Sequence, residues 1–260
     1  WISVQTWKQW EQKILRSAPT ITVSHEVAQS YKRVQPKTFV VPNLPNKREI
    51  SLIPSNRNVD SEFRIAYIRR MAPQVSSSVL QLRFLSRFAP SMQKHLGAYA
   101  KSDAEVLELW ETQRLGAKLV FVGHPVIDTE EVENHGFCSH EDMLSIIADC
   151  DAALLGKQIR FPFYSFQNTY SLVMHAGLKT LVHDTMLLQS QFNQQHNTGW
   201  TWSTGADLKQ LVQRLVKEYF SDVAAWNAEK QRVRAIAKKH LIWEKYADQL
   251  KQAYEAVQQM

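Results

Sequence analysis

Short apolar runs rich in β-branched residues alternate along the chain with longer amphipathic stretches. The runs that predict β-strands lie at 20–23, 38–41, 63–68, 118–122, 152–155 and 180–182. Apolar residues at helical spacing over 79–88 and 104–114 predict helices between strands. This alternation is typical of an α/β fold, which we expect to be a Rossmann-like parallel sheet with helices on both faces.

Helix starts and a linker are also marked in the sequence. Ser139 and Thr204 each precede acidic residues and then an apolar periodic stretch, which is the pattern of a helix N-cap. The final part of the chain is rich in Ala, Lys, Gln and Glu and predicts a helical C-terminal tail. The stretch 42–60 is rich in Pro and Asn, so we expect it to be a linker.

The charge balance leaves three interpretations open. The 260 residues carry a formal charge of +6, with a pI of about 9.2. Attraction to phosphorylated ligands and contact with an anionic membrane face are two of them. A lysine-rich solvated surface is favoured over both, because the cations are scattered and the densest group is 232–239. Nucleic acid is not an expected partner, since no nucleic-acid-reading motif accompanies the charge.

Cysteine use and hydropathy bear on where the protein is found. The two cysteines, Cys138 and Cys150, fit neither a CxxC nor a zinc spacing, so we expect a reducing cytosol and no disulfide framework. No apolar run approaches the ~20 residues that cross a bilayer. We therefore expect a cytoplasmic protein, with peripheral contact at the inner membrane face as an additional expectation.

Trp1 falls within a helix-like stretch, so we expect the sequence to be a fragment of a longer protein.

Glycines at strand ends are candidates for ligand binding. Gly123 follows one strand, Gly136 precedes a short strand-like pair at 137–138, and Gly177 precedes another strand. Without a Cβ, the backbone can approach a phosphate or a ribose closely. Each glycine alone is more simply a turn residue. Three at successive strand edges favour a ligand site, because parallel sheets bind ligands at the carboxyl ends of their strands.

A series of segments resembles, in order, those of a known family. They are 18–24 (APTITVS), 39–43 (FVVPN), 64–71 (RIAYIRRM), 118–123 (KLVFVG), 135–143 (HGFCSHEDM), 151–155 (DAALL), 176–182 (AGLKTLV), 197–200 (NTGW) and 242–246 (IWEKY). Together they resemble the C-terminal domain of GT-B glycosyltransferases, especially the large retaining family 4. The resemblance runs from about residue 18 to the end of the chain.

The resemblance implies a domain organisation and an activity. Residues 1–45 would be a remnant of the N-terminal domain with the interdomain linker, 46–238 a nucleotide-sugar-binding domain, and 239–260 a helix that crosses back to the N-terminal domain. The implied enzyme transfers a sugar from a nucleotide-diphosphate sugar to a glycan, lipid-linked or other acceptor, in polysaccharide biosynthesis. It uses no cofactor, the missing N-terminal domain holds the acceptor, and the fragment alone is inactive. The implied site holds no metal.

The chain departs from the family where the diphosphate and ribose bind. Arg70 stands at the position of the family's arginine, Arg69 replaces a glycine, and Val75 replaces a lysine. Ser171 or Leu172 occupies the place of the ribose-binding glutamate. The phosphate-binding chemistry is thus partly eroded relative to the family pattern.

The candidate donor-binding residues combine matched positions with substitutes. Lys157 and Arg160 are candidates to replace the lost lysine, or else ordinary loop cations. Phe137 and Cys138 flank the expected base pocket, although Phe137 also suits a core. The full set comprises Arg69, Arg70, Gly123, His124, Phe137, Cys138, Lys157, Arg160, Ser171 and Gly177. No catalytic residue is identified.

The alternative function is a non-catalytic GT-B-like subunit that binds an active partner. An epimerase of the same fold is a third interpretation, but the sequence lacks the acid–base groups that it would need.

Overall fold

The computed structural model describes residues 9, 13, 16–32, 35–54, 62–69, 103–123, 128–157 and 167–259. The strands are β1 (Thr20–Thr22), β2 (Thr38–Val40), β3 (Phe63–Ile68), β4 (Ala117–Val122), β5 (Val132–Asn134), β6 (Ala152–Leu155), β7 (Lys179–His183) and β8 (Gly199–Trp202). The helices are α1 (His25–Lys32), α2 (Lys47–Ser51), α3 (103–113), α4 (His140–Ala148), α5 (Asn168–His175), α6 (Leu187–His196), α7 (Gly205–Ser221), α8 (Val223–His240) and α9 (Ala247–Gln258).

Within these described ranges, six parallel strands form one sheet in the order β5-β4-β3-β6-β7-β8, and β1 pairs with β2 in a separate parallel sheet. The predicted α/β fold is therefore confirmed, as is each strand predicted from an apolar run. The strand-like pair at 137–138 is a wrong prediction, because the strand in this region is β5. Strand β8 was not predicted. The helix predicted at 79–88 lies outside the described residues.

The two faces of the sheet are covered by different helices. On one face, Phe63 and Tyr67 of β3 pack in a cluster with Trp110 of α3. Val212 and Leu215 of α7 belong to the same cluster, and both are fully buried. On the other face, apolar residues of α4 and α5 pack against the alternate positions of the same strands. Because the central strands are buried on both faces, they are apolar almost throughout.

Helix α8 runs along the amino ends of the strands and binds the backbone there. Lys230 Nζ donates to the Cys150 carbonyl oxygen (2.7 Å), just before β6. Arg234 Nε donates to the Ala176 carbonyl oxygen (3.1 Å) before β7, and Arg232 Nη1 donates to a carbonyl before β8 (2.9 Å). Arg232 and Arg234, two members of the densest cation group in the sequence, therefore fix the amino edge of the sheet.

The C-terminal tail is helical, as predicted. After α8, a 3-10 turn (Trp243–Tyr246) leads into α9, which packs against β1 and β2. Ala253 and Ala256 are the buried residues of α9. Across the part of the chain that the structure describes, no helix combines the length and the apolar character that a membrane span requires.

Candidate functional site

The carboxyl ends of β3, β4 and β6 meet at one point of the sheet edge. The Arg69 amide donates to the Val122 carbonyl oxygen (2.8 Å), and the Gly123 amide donates to the Gly136 carbonyl oxygen (2.9 Å). A Cβ on Gly123 would collide with the Arg69 carbonyl oxygen, and Gly123 has a φ of +149°. A Cβ on Gly156 would lie 2.8 Å from Arg69 Nη2. Glycine is thus required at positions 123 and 156, because a side chain there would collide with Arg69.

Arg69 carries a positive charge to this edge, but a carboxylate holds it. Arg69 Nη2 lies 2.6 Å from Asp103 Oδ1, and the Tyr67 hydroxyl donates to the same oxygen (2.7 Å). Burial opposes the charged form of Arg69, yet Tyr67 and Asp103 raise its pKa above the ordinary value. Burial also raises the pKa of Tyr67, which stays protonated. Arg70, the matched family position, lies outside the described residues.

Further basic groups surround Arg69. Its Nη1 and Nη2 atoms lie 3.5 Å from the Lys157 carbonyl oxygen. His183, at the end of β7, has Nδ1 2.8 Å from Asp184 Oδ1. Burial lowers the pKa of His183, and the charges of Lys157 and Arg69 lower it further. Lys157, Arg69 and His183 therefore lie at one rim of the sheet, where the Asp103 and Asp184 carboxylates pair with Arg69 and His183. His124 and Arg160 lie outside the described residues.

An exposed aromatic ring stands at the same edge, before α4. Phe137 is 66% exposed, so it is not a core residue. Cys138 is half-buried and packs against the core, and burial together with the Asp142 carboxylate raises its pKa. The Ser139 hydroxyl caps α4 by accepting from the Asp142 amide (3.0 Å). The chain thus presents the face of Phe137, rather than Cys138, to solvent.

The carboxylate of Glu49, which the sequence did not indicate as a site residue, lies at the start of α5. Gln167 precedes α5 without a side-chain cap, and no acidic residue occupies the first turn. Asn168 Nδ2 donates to Glu49 Oε1 (3.4 Å), and His140 Nε2 lies 3.0 Å from the same oxygen. Glu49 belongs to α2, whose N-cap, Asn46, accepts from the Glu49 amide (2.9 Å). The fold brings Glu49 of the stretch predicted as a linker to the starts of α4 and α5.

Ser171 does not reach a ligand surface. The Ser171 side chain is fully buried, and its hydroxyl donates to the Gln167 carbonyl oxygen of its own helix (3.4 Å). Leu172 is 2% exposed and lies in the core. The burial of both positions argues against the expected ribose contact by Ser171.

Gly177 lies at the opposite edge of the sheet from Gly123. It precedes β7, whereas Gly123 follows β4, and the two strands are parallel. A Cβ at Gly177 would lie 2.7 Å from the Lys230 carbonyl oxygen and 2.9 Å from Arg234 Nε. The expectation that Gly177 shares the ligand edge is therefore wrong. Its φ of +83° and its lack of a side chain let α8 approach the amino edge.

The acidic, histidine and cysteine side chains of the site do not gather around a common point. Within the ranges that the structure describes, no group of three or more His, Cys, Asp or Glu side chains is placed to hold a metal ion.

Comparison with solved structures identifies the class of fold. Sucrose-phosphate synthase from Thermosynechococcus elongatus superposes with a TM-score of 0.63 at 17% identity, over 96% of this chain and 61% of the synthase. Anabaena HepE, in complex with UDP and glucose, gives a TM-score of 0.58 at 12% identity, over 98% of this chain and 70% of HepE. The pneumococcal O-GlcNAc transferase GtfA, in complex with UDP and GlcNAc, gives 0.59 at 14% identity, over 96% of this chain and 47% of GtfA.

These likenesses show that the chain has a GT-B-like α/β fold. At such low identity they establish the fold alone. The chain spans less than two thirds of the synthase and less than half of GtfA. No protein-family model matches the sequence, and no curated protein matches it significantly.

Proposed function

We propose that the chain is the donor-binding part of a glycosyltransferase that uses a nucleotide-diphosphate sugar. The observation that carries this proposal is the convergence of Arg69, Gly123 and Gly156 at the carboxyl edge of a GT-B-like sheet. Ligands of open parallel sheets bind outside this edge. Transfer from such a donor builds negative charge on the leaving diphosphate, which fixed cations and helix N-termini stabilise.

The rim offers each part of the donor a partner. The exposed Phe137 ring is suited to stack on the base. The uncapped N-terminal amides of α5, together with Lys157, are suited to the diphosphate. Glu49 is 21% exposed at its side chain and supplies the carboxylate that α5 lacks, so we assign it to the ribose hydroxyls. Arg70, His124 and Arg160 remain proposed donor contacts on the strength of the family resemblance.

The relatives in fold support the finer parts of the proposal. HepE and GtfA were each solved with UDP, which favours a uridine-type donor. We assign the chain to the family-4-like branch, with a glycan or lipid-linked acceptor held by an N-terminal domain and a role in polysaccharide biosynthesis. A cytoplasmic location with peripheral contact at the inner membrane face fits the charge of +6. The non-catalytic alternative has no specific contact of the described residues in its favour.

Nucleotide titration tests the proposal directly. We expect UDP to raise the melting temperature of the chain by several degrees at millimolar concentration, with smaller shifts for GDP and ADP, because a ligand that binds only the folded state stabilises it by mass action. Uridine, which lacks the diphosphate, is the matched control. If none of the nucleotides shifts the melting temperature, the donor site is not where we propose it.

A further inference from the structure

A cavity lies near the amino edge of the sheet, where it is lined by His175 and Arg234. It has a volume of about 500 Å³ and lies between α2, the end of α5, α8 and the segment after α8. Its lining residues are Lys47, Ile50, Ser51, Ile53, Pro54, His175, Arg234, Lys238 and Ile242. His175 lies at the end of α5, whose first residue, Asn168, contacts Glu49 of the proposed donor site. The volume is within the range of small-molecule sites, about 300–1,000 Å³.

The described polar side chains that line this cavity are cationic or neutral, and the Glu244 carboxylate beside it accepts from the Lys47 backbone amide (2.8 Å). Lys47, Arg234 and Lys238 contribute positive charge, and none of the described residues that line the cavity is Asp or Glu. Burial lowers the pKa of Arg234, whose Nε also donates to the Ala176 carbonyl oxygen (3.1 Å). A partly desolvated cation is stabilised by an anion. The cavity is therefore electrostatically suited to an anionic ligand.

His175 adds a requirement for a hydrogen-bond donor. Its side chain is 3% exposed, and Nε2 lies 2.9 Å from the Leu241 carbonyl oxygen. A carbonyl only accepts, so Nε2 carries the proton. Burial, followed by the charge of Lys238, lowers the pKa of His175 and keeps the ring neutral. Nδ1 is then an acceptor, and it has no hydrogen-bond partner among the described residues.

We propose that this cavity binds a small organic phosphate that carries hydroxyl groups. The phosphate lies among Lys47, Arg234 and Lys238, and a hydroxyl donates to His175 Nδ1. The aliphatic walls formed by Ile50 and Ile242 contact the carbon skeleton. This site goes beyond the proposed transferase function.

Calorimetric titration of the full chain with glucose 6-phosphate tests this site. We expect binding that Lys238→Ala and Lys47→Ala each weaken about tenfold, in line with the loss of a charge-assisted hydrogen bond. Lys239→Ala is the matched control, since Lys239 is the adjacent exposed cation of α8 and does not line the cavity. We expect inorganic phosphate to bind more weakly and glucose not to bind.

Several results would overturn the proposal. One is an absence of glucose 6-phosphate binding, and another is equal weakening by Lys239→Ala, which would indicate diffuse electrostatics. Inorganic phosphate that binds as tightly as glucose 6-phosphate would remove the role of His175. Displacement by UDP would place the ligand at the donor edge. The UDP melting shift is measured separately, so failure here is distinguishable from failure of the proposed function.

Discussion

Arg69 and Asp103 form a buried ion pair, with Nη2 2.6 Å from Oδ1, that joins the end of β3 to the start of α3. Their side chains are 12% and 2% exposed, so water screens the pair weakly. The charge of Arg69 is thereby balanced inside the protein rather than offered in full to a ligand. We therefore expect Lys157 and the amides at the start of α5 to bind most of the diphosphate. Arg69 instead fixes the backbone beside Gly123.

Removal of Asp103 is expected to destabilise the fold strongly. Asp103→Ala leaves Arg69 buried without its counter-ion, and we expect the free energy of unfolding to fall by about 3–5 kcal/mol in urea titration. Glu218→Ala is the control, because Glu218 pairs with Arg214 at 3.6 Å where both side chains are about half exposed. That variant is expected to cost less than about 1 kcal/mol. Equal losses in the two variants would contradict a structural role for the buried pair.

Substitution of either strand-edge glycine is expected to lower stability, but only substitution of Gly123 is expected to weaken nucleotide binding. Gly177→Ala strains a φ of +83° and crowds the Lys230 carbonyl oxygen, so we expect a loss of about 1–3 kcal/mol with UDP affinity unchanged. Gly123→Ala crowds the Arg69 carbonyl oxygen and is expected to weaken UDP binding as well. Urea unfolding and UDP titration measure both effects.

Gly205→Ala is the control for both variants. Gly205 begins α7, and a Cβ there meets nothing within 4 Å. Alanine favours a helix over glycine, so stability should be unchanged or slightly higher. If Gly177→Ala abolished UDP binding while the chain stayed folded, Gly177 would contribute to the donor site, which would contradict this prediction.

The sequence predicts the buried strands well because their apolar runs directly reflect burial on both faces. β5 was not predicted because Val132 is the only one of its residues that is buried. The strand is stabilised by pairing with β4 and by the Arg64–Glu133 ion pair (2.8 Å). β8 has four residues, Gly199–Trp202, of which Trp202 alone is buried, so its alternation is too short to stand out in the sequence. Edge strands depend on neighbours that sequence periodicity does not report.

The candidate site was predicted only in part, for a geometric reason. The sequence places Gly123 after one strand and Gly177 before another, and in a parallel sheet this order puts the two glycines at opposite edges. Glu49 is distant in sequence from α4 and α5, so no spacing rule connects it with His140 or Asn168. Such a contact is determined by tertiary packing alone.

Glu49 is expected to contribute to donor affinity. Glu49→Gln keeps the shape of the side chain but loses the charge that would accept from ribose hydroxyls, so we expect the Kd for UDP to rise about fivefold to tenfold. Glu255→Gln is a control, because Glu255 lies on α9 in an exposed pair with Lys251. Equal UDP affinity of Glu49→Gln and the unaltered chain would remove Glu49 from the proposed site.

Phe137 is expected to bind the base without supporting the fold. Because the ring is 66% exposed, Phe137→Ala should leave the melting temperature nearly unchanged. Base stacking on an aromatic ring contributes about 1–3 kcal/mol, so the Kd for UDP should rise by roughly 5-fold to 150-fold. Phe220→Ala is the control, since Phe220 is 51% exposed on α7. Isothermal titration of both variants decides the matter; an unchanged Kd for Phe137→Ala would exclude stacking.

Stability is expected to fall as pH drops through the range where histidine titrates. Burial lowers the pKa of His175 from 6.5, and His183 shifts in the same direction, so the unfolded chain binds protons more readily than the folded chain. The contribution of His175 is complete above about pH 6.5 and is lost below it, at up to about 1.4 kcal/mol per pH unit. The Asp184 carboxylate opposes the effect of burial on His183, so we expect His183 to contribute less. Urea unfolding at intervals from pH 7.5 to 5.5 should show the decline.

His175→Gln identifies the part of this slope that belongs to the buried ring. The glutamine amide can still donate to the Leu241 carbonyl oxygen, but it does not titrate. We expect the variant to lose less stability between pH 7.5 and 5.5 than the unaltered chain. The pKa values of Glu133 and Glu229 are lowered by their ion pairs, so both stay ionised over this interval and do not account for the slope. Identical slopes for the two proteins would show that His175 is not buried in its neutral form.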